Sequence, residues 1–91
     1  MQTSRLESNV TVGQPDGWHA RPATEFARIV GEFGLGVTIA RPGETPVRGD
    51  SVLSLLTMGA CFGEQLVIAV EYTDERAAEA QQLLQALHEL F

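Results

Sequence analysis

Ninety-one residues with 44% apolar content and a formal net charge of −6 describe a chain able to bury a core, which excludes a disordered tail. All six basic residues are arginine, and this acidic balance without a basic stripe makes the chain a poor candidate for direct binding to nucleic acid or to an anionic membrane surface. No apolar run approaches the roughly 18–20 residues that span a bilayer, and Met1–Ser8 lacks the pattern of a secretory signal. The expectation is a single domain over residues 1–91, without membrane insertion, in the cytoplasm. The lone Cys61 has no partner for an internal disulfide and reads as a small packed residue.

Along the chain, Leu6, Val10 and Val12 share one parity, and residues 5–12 read as a strand in which Ser8 is the exception. Pro15-Asp16-Gly17 is turn chemistry. From Ala20 the period changes: Ala23, Phe26, Ala27, Val30 and Phe33 form one apolar face of a helix that Gly34 or Gly36 ends. Leu35, Val37 and Ile39 give a second strand, and residues 45–49 a short third strand whose Pro46 suits an edge. Asp50-Ser51 precedes a short helix closed by Gly59, with Ser51 as its N-cap.

Leu66, Ile68 and Val70 mark the last strand. Val67 and Ala69 make its other face apolar too, which places it centrally. Asp74 is expected to cap a final helix with the stripe Ala77, Ala80, Leu84, Leu87 and Phe91. The order β-α-β-β-α-β-α predicts an α+β open-faced β-sandwich, a four-stranded antiparallel sheet covered on one face by three helices.

Chemistry concentrates at Gly17-Trp18-His19-Ala20-Arg21-Pro22. Proline fits the first helical turn because its missing N–H would have no intrahelical partner there, so Pro22 sets His19 and Arg21 at a helix amino end. Free backbone N–H groups and a guanidinium with bidentate reach then gather negative charge around a nucleophilic imidazole. On spacing alone, a solvated surface histidine remains the competing reading. Trp18 either fills space between loop and sheet or stands exposed as a partner anchor, and Phe62 carries the same alternatives. His88 reads as solvated. Two distant histidines and one cysteine offer no metal spacing, and no phosphate-cradling loop or dinucleotide fingerprint occurs, so neither metal nor cofactor is expected.

The segment Gly17–Thr24 resembles the active-site motif of HPr, the histidine-containing phosphocarrier family of the bacterial phosphoenolpyruvate-dependent sugar phosphotransferase system. Asp50–Gly59, followed by Gly63, resembles the family's regulatory-serine helix in register, so the resemblance spans essentially the whole chain. It implies a carrier and not a turnover enzyme. His19 would accept a phosphoryl group on Nδ1 from enzyme I and pass it to an enzyme IIA, with Arg21 and the backbone N–H groups of Ala20 and Arg21 holding the phosphoryl oxygens. Ser51 would match the site of an HPr kinase/phosphorylase. Trp18, Thr24, Arg28, Val52 and Leu53 would form the docking face of a monomer.

Two alternatives stand beside sugar transport. One is a regulatory binding module controlled at Ser51; the other is a specialised relay serving nitrogen control or dihydroxyacetone phosphorylation. Trp18 stands where the family usually carries a smaller aliphatic residue, Asp50 precedes the serine where basic or neutral residues are common, and the lysines that ring many docking faces are missing.

Overall fold

The computed structural model describes residues 2–91. Its elements are β1 (Thr3–Thr11), α1 (Ala20–Phe33), β2 (Gly36–Ala40), β3 (Val47–Arg48), α2 (Val52–Thr57), β4 (Gln65–Thr73), a 3-10 turn (Asp74–Arg76) and α3 (Ala77–His88). The four strands form one antiparallel sheet in the order β1-β4-β2-β3. β4 is central, as its two apolar parities require, and β3 is the edge that Pro46 prescribes, shortened to two residues.

Register explains why one face takes the helices. Leu6 and Val10 of β1 lie opposite Val70 and Leu66, while Val37 and Ile39 of β2 lie opposite Val70 and Ile68. Because side chains alternate along a strand, this single parity forms a continuous apolar floor. Ala23, Phe26, Ala27 and Val30 of α1, with Ala80, Leu83 and Leu87 of α3, bury against it. The other face carries Arg5 paired with Glu7 at 2.8 Å. α1 stops at Gly34, whose left-handed φ of 69° lets its N–H reach the carbonyl of Val30.

The last helix begins later than expected. Asp74 opens the 3-10 turn instead of capping α3, because Arg76 donates to the carbonyl of Phe33 at 2.6 Å and ties that tight turn to the end of α1. The buried stripe of α3 also runs through Leu83, which is fully buried, while the expected Leu84 sits half-buried at its rim, the two sharing one helix face with Ala80 and Leu87.

Gly49 lies where α1 meets β2. A Cβ there would fall 2.9 Å from Val37 Cγ1 and 3.0 Å from Phe26 Cε1, both in the core. Gly49→Ala is therefore expected to overpack the core and cost about 1–3 kcal/mol in urea unfolding. A loss under about 0.5 kcal/mol, the range of inert surface changes, would contradict this packing.

Candidate functional site

His19 is the N-cap residue of α1, held extended at φ −106° and ψ −165°. Its carbonyl accepts from the N–H of Ala23 at 3.2 Å, while its ring caps nothing. Nε2 faces Asp16 Oδ1 at 3.7 Å, beyond hydrogen-bond range, and the side chain is 48% exposed. The N–H groups of Ala20 and Arg21 precede the first helical hydrogen bond, and no loop carbonyl among the described residues meets them. Arg21 is exposed on the same turn. A cleft of about 690 Å³ lined by Gln14, His19, Arg21 and Glu25, among others, opens beside the ring. An exposed nucleophile, free helix-end donors and a guanidinium around one open cleft suit a tetrahedral anion.

Glu25 adds negative charge to that cleft, and Arg28 restrains it. Arg28 hydrogen-bonds Glu25 and holds Glu32 at 2.7 Å. The hydrogen bond from Arg28 holds the Glu25 carboxyl below the usual range. Arg28, expected on a docking face, therefore carries a charge already matched by two carboxylates of its own helix, a pairing that the i,i+3 and i,i+4 spacing makes visible in the sequence.

Trp18 does not stand exposed as a docking anchor. It is 4% exposed, stacks on Phe91 with ring centroids 5.1 Å apart, and meets Phe26 edge-on at 5.4 Å. Aromatic contacts from α1 and from the end of the chain close over it, so it supports the His19 loop from beneath. Cys61 is likewise not packed: it is exposed on the turn between α2 and β4, beside Phe62, which is 63% exposed. This turn borders the Pro15–Gly17 loop across a depression of about 520 Å³. Phe62 thus presents apolar surface next to the His19 loop, which its sequence context left open.

Ser51 caps α2 as expected, its Oγ accepting from the N–H of Ser54 at 3.2 Å. Asp50 beside it is gripped by Arg48 at 2.8 and 3.0 Å, and this hydrogen bonding keeps its carboxyl below the usual range. Val52 is half-buried, and Leu53 is 75% exposed over a separate depression shared with Arg41 and Met58. Thr24 is exposed on α1.

Glu64 has the most perturbed carboxyl, lowered from 4.5 to about 2 by the Arg41 guanidinium and then by the N–H of Cys61. Arg41 Nε meets Glu64 Oε1 at 2.6 Å, with the two side chains 30% and 29% exposed. A folded-state pKa below the unfolded one stabilises the protein above the unfolded value, and this stabilisation fades as pH falls toward the folded value. The stability difference between the parent and Glu64→Gln should therefore shrink as pH falls from 4.5 toward 2. Urea midpoints across that range test this; a constant difference would show that the ionised carboxylate is not what stabilises the turn.

A small α+β sandwich presenting a histidine at a helix amino end defines the class. Residues 6–91 match the family described as PTS HPr component phosphorylation site. Phosphocarrier protein HPr of Streptomyces coelicolor is 43% identical over 74 residues, covering 81% of this chain and 76% of that one. Phosphocarrier protein NPr of Shewanella violacea is 35% identical over 75 residues, covering 82% and 81%. The crystal structure of a phosphocarrier protein HPr from Bacillus anthracis superposes with a TM-score of 0.79 over 96% of each chain, at 24% identity. The chain belongs to the HPr phosphocarrier family of the phosphotransferase system. Among the described residues, no helix is long and apolar enough to cross a membrane.

Proposed function

We propose that this chain is a one-domain, monomeric, cytoplasmic phosphocarrier that takes a phosphoryl group from enzyme I on His19 and delivers it to an enzyme IIA during sugar uptake. The observation that carries this reading is the exposed, uncapped imidazole of His19 beside Arg21 at the amino end of α1. In each transfer a bond from His19 Nδ1 to phosphorus forms as the bond to the donor's group breaks. The reverse exchange delivers the group onward, so the chain ends each cycle unchanged and performs no net turnover alone. Arg21 and the N–H groups of Ala20 and Arg21 offset charge on the phosphoryl oxygens, the positioning and neutralisation by which phosphoryl transfer is ordinarily catalysed. Thr24, Phe62 and Leu53 supply exposed docking surface; Trp18 acts from beneath.

Incubation with phosphoenolpyruvate and enzyme I should add one phosphate, labile in acid and stable in base. No mass gain under conditions that charge an authentic HPr would remove the assignment. Supply to a nitrogen or dihydroxyacetone relay is the same chemistry with a different acceptor, so competing acceptor proteins distinguish them.

A regulatory reading of Ser51 is favoured by its place at the head of α2. There the N–H of Ser54 already donates to Oγ, and Arg48 partly neutralises the neighbouring Asp50. An HPr kinase with ATP should add an acid-stable phosphate that persists in a His19→Ala background. Failure of that labelling would leave Ser51 as a helix cap alone.

A further inference from the structure

The turn over residues 59–64 is built from a loose sequence yet holds the loop that presents His19. Gly59 and Gly63 take φ values of 60° and 85°, a region glycine enters freely and leaves as freely. Of the turn's own residues only Ala60 is buried, so apolar packing alone does little to fix it. The turn nevertheless meets the His19 loop through three backbone hydrogen bonds of 2.9 Å: Trp18 N–H to Ala60 carbonyl, Gly63 N–H to Val12 carbonyl, and Val12 N–H to Glu64 carbonyl. A Cβ at Gly17 would come within 3.0 Å of the Ala60 carbonyl oxygen, so loop and turn lie in close contact.

One side-chain cluster grips the turn from both ends. Arg41 donates through Nε to Glu64 Oε1 at 2.6 Å and through a terminal nitrogen to the carbonyl of Met58 at 2.8 Å. Glu64 Oε2 in turn accepts from the N–H of Cys61 at 2.6 Å. Arg41 follows the end of β2, so the cluster references the turn to the sheet.

We propose that Arg41 and Glu64 are positioning residues for phosphotransfer: they lock the 59–64 turn, and the Ala60 carbonyl then fixes Trp18 and the backbone that presents His19. The proposal rests on the phosphocarrier reading of His19. Neither side chain touches the phosphoryl group; they act through the backbone on which its acceptor stands.

The test pairs nuclear magnetic resonance of the unphosphorylated chain with initial rates of phosphorylation by enzyme I and phosphoenolpyruvate. Arg41→Ala and Glu64→Ala should retain the dispersed spectrum of a folded chain while shifting the Trp18 amide and His19 ring signals. Transfer should slow about three- to tenfold, short of the roughly hundredfold that a full 1 Å misplacement of a reacting group can cost. Glu64→Gln keeps one acceptor oxygen and should recover part of the rate, and the double alanine variant should lose no more than the worse single one.

Unmoved Trp18 and His19 signals in Glu64→Gln and in every alanine variant that remains folded, or parental transfer rates in all of them whatever the signals do, would overturn the proposal. Should the parent chain itself fail to accept phosphate, the carrier reading falls, and the resonance shifts still decide whether the cluster positions the loop.

Discussion

A His19→Ala variant is expected to accept no phosphate from phosphoenolpyruvate and enzyme I, with labelling reduced to background and unfolding unchanged within about 0.5 kcal/mol. The two halves of this expectation have separate causes. The ring is 48% exposed and caps no N–H of α1, so its removal opens no cavity and breaks no hydrogen bond. Chemistry, in contrast, has no substitute at that position. His88 is exposed in the last turn of α3, a helix carboxyl end that offers carbonyls in place of the free N–H groups found at His19. Residual labelling near the parental level, as mass gain in the intact protein, would require a different acceptor. Arg21→Ala should leave the acceptor in place but slow charging by about ten- to a hundredfold. That lies below the 10²–10³ reported for an oxyanion donor in a dry site, because Arg21 works in contact with water.

The second large effect falls on stability. Trp18→Ala should cost about 3–5 kcal/mol in urea unfolding, the range for removing a buried large aromatic side chain. Domains of this size hold only about 5–15 kcal/mol, so the variant is expected to be marginal near body temperature. Trp18→Phe should lose less than half as much. It keeps an aromatic face against Phe91 and Phe26 and deletes a buried indole N–H that has no acceptor among the described residues. Equal losses in the two variants would contradict aromatic packing against Phe91 and Phe26 as what holds Trp18 in place.

Residue patterns alone revealed the scaffold where the signal was local. The four apolar positions buried by α1 repeat at helical spacing, Pro22 announces its start, and β4 declares its central place by carrying apolar residues on both parities. The place of His19 and Arg21 at a helix amino end and the cap at Ser51 are legible because helix amino ends are written in adjacent residues. What the pattern missed depends on contacts between distant segments. Trp18 is buried because Phe91 closes over it, and Asp74 forms a 3-10 turn because Arg76 reaches the carbonyl of Phe33. Exposure of Cys61 and Phe62, and the Arg41–Glu64 pair that holds their turn, likewise follow from tertiary placement that no periodicity encodes.

The acceptor atom is the central claim, and phosphorus-coupled resonance of the uniformly ¹⁵N-labelled chain after charging by phosphoenolpyruvate and enzyme I reads it directly. The predicted result is a single phosphoramidate with coupling between phosphorus and Nδ1 of His19. Phosphorus coupled to His88, or bound as an ester at Ser51 under these conditions, would contradict it.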